Sequence, residues 1–320
     1  RGIIKINSIN PFYWVCTSFE KTRSDSTVKI KHYDKKFNIF DDALKYAKNQ
    51  PYRSLETDLV RKEDILPPVP IPRNFLGVAW NYKPHADETG YSGSPVFFSI
   101  SPNAIASPFS ALKTEGADLM DYEIELGVVI KRRVDKDFEV SDIHDTIAGY
   151  VLGNDITSRR IQVMHSGIFN KTRGFYDAKS LPNSKPLGPI LFVDSIENIN
   201  LELELLIQRG EIFEKRQASP ISNMYLTPLE LVSYLIESIR ANNNAFRGLL
   251  DDNCLYPGDI ILTGTPGGTA FQSSALDIIL AGGRKRFIRE ELERNQRYLK
   301  AGDVIRSDAG PLGWQETRIV

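Results

Sequence analysis

Eight strand-like runs after residue 74 constrain the fold of this 320-residue chain more than any other feature. Each run is short and either apolar or alternating, and Gly, Pro, Asn and Asp lie between the runs. Helices do not alternate with these strands, as they would in a doubly wound sheet. The pattern predicts an α+β fold that is rich in β-structure. The runs read FLGVAW, PVFFSI, YEIELGVVI, IAGYVLGNDI, GPILFV, LELELLIQ, DIILTG and DVIRSDA.

Two helical segments and one proline-rich segment organise the chain further. Helices are predicted in TPLELVSYLIESIRANN, where a Thr-Pro pair offers a cap and a first-turn proline, and near 284–299. The segment LPPVPIPRN, at 66–74, contains four prolines and favours extended chain. Before it, strand-like runs accompany the helical segment FDDALKYAKNQ. We therefore predict a small N-terminal α/β domain over 1–72 and a larger β-rich domain over 73–320.

Composition argues against several classes of partner. The chain has 40 basic and 41 acidic residues, so no strong field favours nucleic acid. No apolar run reaches the ~18 residues of a transmembrane helix, so we expect no membrane partner. Cys16 and Cys254 form neither a disulfide framework nor a metal cluster, which favours a reducing cytoplasm or organellar matrix. The chain starts with Arg1 rather than Met, so the sequence leaves open whether a targeting segment has been removed.

The strand MDYEIELGVVI, at 120–130, carries two glutamates that need an explanation. Apolar residues occupy one parity of the alternation, whereas Glu123 and Glu125 share the other parity and therefore point the same way. Neighbouring carboxylates repel each other and shift their pKa values unless a cation lies between them. The pair is either a solvated strand face, where water screens the charges, or part of a site that a cation compensates.

Asp155 is the best candidate for a third acidic ligand. It ends the apolar run in GYVLGNDITSRRIQ and follows Gly153 and Asn154, which suit a turn. An Asp in this position is either a turn cap or a carboxylate that faces a pocket. With Glu123 and Glu125 it would form an oxygen site suited to Mg²⁺ or Ca²⁺.

A histidine and a glutamate in NYKPHADETG suit acid–base chemistry. His85 and Glu88 are three residues apart, so one helical turn would bring them face to face. Glu88 could then orient the imidazole of a general base. A surface pair without consequence is the alternative.

Further polar residues near these segments could bind a substrate carboxylate or a developing oxyanion. Lys179 lies in DAKSLPNSKPLGP, while Arg159 and Gln162 follow the strand that ends at the candidate metal ligand. Thr265 lies in DIILTGTPGG, whose Gly/Pro turn presents backbone N–H groups. This turn lacks the GK[ST] ending of a phosphate-binding P-loop.

Taken together, these segments resemble the fumarylacetoacetate hydrolase family over about residues 74–320. The similar motifs occur in the family's order, and each is specific. They are NYKPHADETG, YEIELGVVI, GNDITSRRIQ, AKSLPNSKPLGP and GDIILTGTPGG.

The resemblance implies a mixed β-roll, a homodimer and one divalent cation, Mg²⁺ or Mn²⁺, bound by Glu123, Glu125 and Asp155. The cation would compensate the charge of the glutamate pair. His85 and Glu88 match the family's catalytic dyad, and Lys179 matches a residue that stabilises developing negative charge. Three more residues match positions that line the substrate pocket: Arg159, Gln162 and Thr265.

The implied chemistry proceeds through an enolate of a small-molecule 2-oxo or β-diketo acid that the cation stabilises. Water attack with C–C cleavage would make the protein a hydrolase, and loss of CO₂ a decarboxylating lyase. Proton return would make it an isomerase, tautomerase or hydratase of 2-oxo-enoate dicarboxylic acids. A metal-binding module without catalysis is a further alternative. A two-carboxylate glycosidase would explain neither Asp155 nor Lys179.

Some segments depart from the pattern of the family. Arg160 stands where many relatives carry an acidic residue, and Thr269-Ala270-Phe271 replaces the common continuation after GTPGG. The segment 270–299 is often shorter in relatives. We expect this insertion to cap the pocket or to pack on a partner subunit. The segment 241–253 also looks longer than usual. These departures leave the identity of the substrate open.

Overall fold

The computed structural model describes residues 1–49, 55–114, 118–139, 143–167, 174–197, 199–241, 246 and 248–320. Over these residues the chain is mainly sheet, with seven α-helices, which confirms the predicted α+β class. Among them, no helix combines the length and the hydrophobicity that crossing a membrane would require.

The first part of the chain folds as antiparallel strands with one helix, α1. Alternating burial along the third strand fits its sequence TVKIKHYDKKF. Two aspartates occupy the first turn of α1 and a lysine its last turn, as the helix dipole favours. The elements are β1 (Gly2–Ile6), β2 (Phe12–Lys21), β3 (Thr27–Phe37), α1 (Phe40–Asn49), β4 (Leu55–Arg61) and β5 (Ile65–Leu66).

All eight predicted strand runs after residue 74 form strands. The six remaining strands of this part were not predicted, and most of them are short or polar. In order, the strands are β6 (Phe75–Ala79), β7 (Val96–Ile100), β8 (Ile105–Ala106), β9 (Phe109–Leu112), β10 (Met120–Asp121), β11 (Ile124–Ile130), β12 (Ile147–Asn154), β13 (Thr157–Ser158), β14 (Lys185–Phe192), β15 (Glu202–Arg209), β16 (Ile212–Pro220), β17 (Ile260–Leu262), β18 (Val304–Asp308) and β19 (Trp314–Ile319).

Both predicted helical segments after residue 74 contain helices, and shorter helices lie near the candidate site. The long predicted helix begins after Thr227, whose side chain forms a capping box with Glu230. The charged segment near 284–299 contains one helix, and a shorter helix, which was not predicted, precedes it with Gly282 and Gly283 between the two. The helices are α2 (Lys83–Glu88), α3 (Arg159–His165), α4 (Phe175–Lys179), α5 (Pro228–Arg240), α6 (Ala275–Leu280) and α7 (Arg284–Arg294).

One twelve-stranded sheet runs through both parts of the chain. Its main path is β4-β3-β2-β1-β14-β12-β11-β17-β6-β7, and β5 and β8 pair beside it. A second sheet has the order β16-β15-β18-β19-β9. The two parts join where Gly2 pairs with Phe192 and Ile3 with Leu191. The division into domains at residue 72 stays a prediction, because this sheet is continuous across it.

The central strands β11 and β12 are buried along their whole length. They pair antiparallel, with Glu125 opposite Gly153. Burial on both faces explains why their sequences are almost continuously apolar. Glu123 and Glu125 are only 2% and 3% exposed, so the interpretation of a solvated face is wrong.

Candidate active site

The pairing of β11 with β12 brings the three predicted carboxylates together. Glu123 directly precedes β11, Glu125 is its second residue, and Asp155 directly follows β12. The Asp155 N–H donates to the Glu123 carbonyl oxygen at 2.8 Å. One carboxylate oxygen from each residue lies within 4.8 Å of the others.

This cluster fits a divalent cation. Three buried carboxylates repel one another unless positive charge lies close by. Asp155 Oδ1 is buried and accepts no hydrogen bond from the described residues, although Lys185 Nζ lies 3.1 Å away. Lys185 is the ion-pair partner of this oxygen, and carboxylate oxygens clustered in this way are the ligands that Mg²⁺ and Ca²⁺ prefer.

Two buried cations hold Glu123 in its charged form. Burial alone would raise the pKa of Glu123, but Arg159 and Lys179 outweigh burial and lower this pKa. Arg159 donates to Glu123 Oε1, and Lys179 Nζ donates to Glu123 Oε2 at 2.5 Å and to Asp155 Oδ2 at 2.6 Å. Lys179 also donates to Thr157 Oγ1 at 2.9 Å. Lys179 is therefore a buried lysine that bridges two of the candidate metal ligands.

Glu125 lies in a different electrostatic setting from Glu123. Burial raises its pKa well above the usual value, and the charges of Asp155 and Glu123 raise it further. Its Oε2 accepts a hydrogen bond from the Gly264 N–H at 2.8 Å. The raised pKa favours the protonated form of Glu125 when no cation is close, which is one way in which a cluster of like charges relieves its repulsion.

The predicted His–Glu pair lies on α2, as its spacing indicated. His85 Nδ1 is 3.5 Å from Glu88 Oε2, and His85 is buried. Glu88 Oε1 accepts from the Gly268 N–H at 2.7 Å, so the GTPGG turn fixes the carboxylate behind the imidazole. The interpretation of a surface pair is wrong, because the histidine is 7% exposed and the glutamate is anchored from a second segment.

Glycine is required in the turn that anchors Glu88. Gly268 has a φ of +106°, and a Cβ atom there would lie 1.9 Å from the Arg216 carbonyl oxygen. Thr265 Oγ1 in the same turn donates to the Ile124 carbonyl at 2.9 Å and accepts from Gln217 Nε2 at 2.8 Å. Thr265 thus lines the cavity, but its hydroxyl group is already hydrogen-bonded to Ile124 and Gln217.

Arg159 and Gln162 lie one turn apart on α3. The Ser158 hydroxyl accepts from the Ile161 N–H at 3.4 Å and caps this helix. Arg159 Nη1 donates to Gln162 Oε1 at 2.7 Å, and Arg159 Nε donates to Asp121 at 2.8 Å. The guanidinium group is thus held in place on several sides.

A cavity of about 310 Å³ opens beside these residues, at the lower end of the range for small-molecule sites. Seven of the nine predicted site residues line it. Glu88 and Asp155 lie behind the wall and hold His85 and Lys179, respectively. The lining residues among the nine are His85, Glu123, Glu125, Arg159, Gln162, Lys179 and Thr265.

Several buried polar residues of the described part of the site were not predicted. Asp121 accepts from Arg159, Gln217 Oε1 accepts from the Ile124 N–H at 3.0 Å, and Lys185 Nζ donates to the Ile156 carbonyl at 2.7 Å. Asp121 and Lys185 stand inside DYEIEL and SKPLGP, so the motifs themselves were a signal. Gln217 belongs to the polar strand β16 and offers none.

Lys185 is fully buried beside the cluster. Burial lowers its pKa to about 8. It also donates to the Ser184 hydroxyl at 2.8 Å. Four buried carboxylates therefore face three buried cations among the described site residues: Asp121, Glu123, Glu125 and Asp155 against Arg159, Lys179 and Lys185.

A sequence profile of the family described as fumarylacetoacetate (FAA) hydrolase C-terminal matches residues 74–320. The chain belongs to the fumarylacetoacetate hydrolase family. Oxaloacetate tautomerase YisK of Bacillus subtilis (strain 168) is 31% identical over 211 residues, which cover 63% of this chain and 61% of YisK. The match therefore spans less than two thirds of the length of that relative.

Two further relatives cover more of the chain. A fumarylacetoacetate hydrolase domain-containing protein 2 homolog of Dictyostelium discoideum is 29% identical over 255 residues, 76% of this chain and 70% of that protein. The crystal structure of a probable 2-hydroxyhepta-2,4-diene-1,7-dioate isomerase from Mycobacterium abscessus superposes with a TM-score of 0.65 at 25% identity. It covers 100% of this chain and 98% of that one.

Proposed function

We propose that this chain is a divalent-cation-dependent hydrolase or lyase of 2-oxo and β-diketo acids, of the acylpyruvase type. The observation that carries the proposal is the juxtaposition of a buried three-carboxylate cluster and a histidine–glutamate pair at one cavity. A binding module has no need of a base beside its cation. Family membership supports the same chemistry.

Glu123, Glu125 and Asp155 would hold the cation. When bound, a divalent cation supplies Lewis acidity toward the carboxylate and keto oxygens of such an acid. Lys179 adds a buried positive charge on the same side of the cavity and would stabilise developing negative charge there.

His85 would act as the general base, and Glu88 would orient it and stabilise its imidazolium form. In a 2,4-dioxo acid, His85 removes a proton from water, and the oxygen forms a bond with the C4 carbonyl carbon. The C3–C4 bond then breaks, and its electron pair goes to C3, which takes up a proton. Acetylpyruvate and water thus give acetate, pyruvate and one proton.

An isomerase or tautomerase is the second candidate, and the relatives support it. YisK is named an oxaloacetate tautomerase, and the structural neighbour is named a probable isomerase. Both reactions would use the same base to move a proton at C3 without cleaving a C–C bond. They differ from hydrolysis in whether water attacks the carbonyl carbon.

A turnover screen in D₂O, followed by NMR, distinguishes the candidates. We expect acetylpyruvate, fumarylpyruvate or oxaloacetate to be cleaved with Mg²⁺ or Mn²⁺ and to survive after chelation. Deuterium uptake at C3 without cleavage would instead favour the tautomerase. No reaction despite bound metal would contradict both and favour a non-catalytic module.

A pair of histidine variants tests the role of the base. We expect His85→Gln to lower kcat by about 10²–10⁴-fold while metal binding persists. His165→Gln is the matched control, because His165 is half-exposed and pairs with Asp177 at 2.7 Å. Equal rates for the two variants would contradict the assignment.

The proposed assembly is a homodimer, by resemblance to the family, and light scattering would measure its mass.

A further inference from the structure

The cavity has two chemically different ends. One end holds the carboxylate cluster and its cations, as described above. Most of the remaining described lining residues are aromatic or aliphatic, although Thr89, Ser166, Ser273, Ser274 and Arg284 also line the cavity. Six side chains of this apolar wall are Trp80, Tyr91, Phe98, Phe175, Phe271 and Ile278.

The aromatic rings on one side of this wall pack against one another. The rings of Trp80 and Tyr91 are stacked, with centroids 3.8 Å apart and an interplanar angle of 15°. Phe175 lies 5.6 Å from Trp80 and 5.1 Å from Phe98. Phe175 is tilted by 56° against Trp80 and lies edge-on to Phe98, so the rings form a packed aromatic cluster whose members support one another.

Helix α6 contributes another part of the wall. Ile278 and Ile279 face the cavity from this helix, which lies in the segment 270–299. Ile279 is 71% exposed, so it lies at the mouth, whereas Ile278 is packed against the core. The segment 270–299 therefore contributes to the lining of the cavity. This position agrees with the first of the two sequence-based expectations, that the segment caps the pocket.

The basic side chains that line the cavity, among the described residues, have partners already. Arg159 and Lys179 are paired with buried carboxylates, and His85 with Glu88. Arg284 donates to the Met164 carbonyl at 3.1 Å and to the Ser166 carbonyl. A second substrate carboxylate would have to draw Arg284, which has no carboxylate partner among the described residues, away from these carbonyls, and it would also lose its own hydration.

We propose that the substrate is a 2-oxo acid with an uncharged, apolar acyl tail, aliphatic or aromatic. The tail lies against the aromatic wall and α6, while the oxo-acid head faces the carboxylate cluster. This inference rests on the proposed function, because it names the substrate class of the same site. The compounds in the names of two relatives, oxaloacetate and a heptadienedioate, carry a second carboxylate, so the proposed tail differs from theirs.

Four 2,4-dioxo acids test the proposal on the wild-type protein with Mg²⁺: those with acetyl, hexanoyl, benzoyl and fumaryl tails. We expect kcat/KM for the hexanoyl or benzoyl compound to exceed that for the acetyl compound by about tenfold or more. The charged fumaryl compound should be the poorest of the larger substrates. If the acetyl compound is cleaved but longer apolar tails bring no gain, the inference fails and the proposed function stands.

Preference for the fumaryl compound would also overturn the inference. If Arg284→Gln then lowered turnover of the fumaryl compound alone, Arg284 would be a carboxylate subsite instead. Failure to turn over any of the four compounds would remove the proposed function, and the inference with it.

Two neighbouring residues of α6 provide a matched pair of variants. Ile279 and Leu280 are 71% and 74% exposed, but only Ile279 lines the cavity. We expect Ile279→Glu to lower the hexanoyl-to-acetyl ratio of kcat/KM by at least about fivefold, because a carboxylate there opposes burial of an apolar tail. Leu280→Glu should leave this ratio unchanged. An unchanged ratio in Ile279→Glu, or equal loss in both variants, would overturn the placement of the tail.

Discussion

Asp121 shows how a single buried carboxylate can organise several parts of a site. Its Oδ1 accepts from the backbone N–H groups of Tyr122 at 2.9 Å and Ala270 at 2.7 Å. Its Oδ2 accepts from the Phe271 N–H at 3.1 Å and from Arg159 Nε at 2.8 Å. Asp121 therefore ties the beginning of the segment 270–299 to the arginine that contacts the candidate metal ligands.

Replacing this carboxylate should cost both stability and activity. In Asp121→Asn the shape is kept, but Arg159 loses one of two buried partners, and an amide N–H group faces donors. We expect the free energy of unfolding to fall by about 3–5 kcal/mol, as for other broken buried pairs. Displacement of Arg159 should lower kcat/KM by about 10²-fold. Urea denaturation and steady-state kinetics would measure the two effects.

The chain offers a matched control for this substitution. Asp118 and Arg160 form a second Asp–Arg ion pair close in sequence to Asp121 and Arg159. The side chains of Asp118 and Arg160 are 44% and 50% exposed. Asp118→Asn should change the free energy of unfolding by no more than about 1 kcal/mol, because water screens surface ion pairs. Similar losses in the two variants would contradict the special role of the buried carboxylate.

Residue patterns predicted much of the site, and burial explains what they did not predict. The spacing of His85 and Glu88 indicated a shared helical turn, and the alternation in β11 placed Glu123 and Glu125 on one side. Sequence spacing alone cannot reveal that Lys179 bridges Glu123 and Asp155, because that contact depends on how β11, β12 and α4 pack.

At the scale of elements, the sequence signal for a strand is clearest where both faces are buried. β11, β12 and β14 consist of buried residues throughout, so their apolar runs are unmistakable. Strand β16 lies at the edge of its sheet and is exposed over its first four residues. Its sequence IFEKRQASP shows no apolar run, because its pairing with β15 depends on backbone hydrogen bonds and not on side-chain burial.

The two capping boxes separate stability from activity at the same scale. Helix α5 buries seven residues, whereas α6 buries none. Thr227→Ala removes the hydroxyl that accepts from the Glu230 N–H at 3.3 Å and should lower the free energy of unfolding by about 1 kcal/mol. Because α5 lies away from the described lining of the cavity, kcat/KM should stay unchanged.

The equivalent change at α6 should have the opposite profile. Ser274 Oγ accepts from the Asp277 N–H at 3.3 Å, and Ser274 lines the cavity. In Ser274→Ala, fraying of an exposed helix costs little global stability but displaces the apolar wall, so kcat/KM should fall severalfold. Thermal unfolding and kinetics of both variants would test this contrast. A larger loss of stability in Ser274→Ala than in Thr227→Ala would contradict it.

At the scale of the whole molecule, both parts of the chain share a core as well as a sheet. Ile4, Trp14 and Ile30 from the first part cluster with Ile190 and Trp314 from the second. Contacts of this kind couple the unfolding of the two parts, since neither can expose its side of the core alone. Metal binding or a substitution at the carboxylate cluster should therefore change the free energy of unfolding of the entire chain.

Metal binding is the event that should register most strongly. A ligand that binds only the folded state at 100 times its Kd stabilises it by about 2.7 kcal/mol, or about 4 °C in Tm for a chain of this size. We expect Mg²⁺ or Mn²⁺ to produce such a rise and chelation to reverse it. Tryptophan fluorescence, which includes Trp14 in the first part, should report the same midpoint as circular dichroism.

Substitutions in two carboxylate clusters would identify where the metal acts. Burial and the charges of Asp155 and Glu123 raise the pKa of Glu125, so a neutral Gln resembles its protonated form. Glu125→Gln should therefore keep the metal-free Tm while losing the metal-induced rise. Asp58→Asn is the control, because Asp58 belongs to a second, more exposed cluster in which it bonds His32 Nε2 at 2.7 Å. If Asp58→Asn lost the metal-induced rise in Tm while Glu125→Gln kept it, the stabilising metal would bind at the cluster that contains His32 and Asp58.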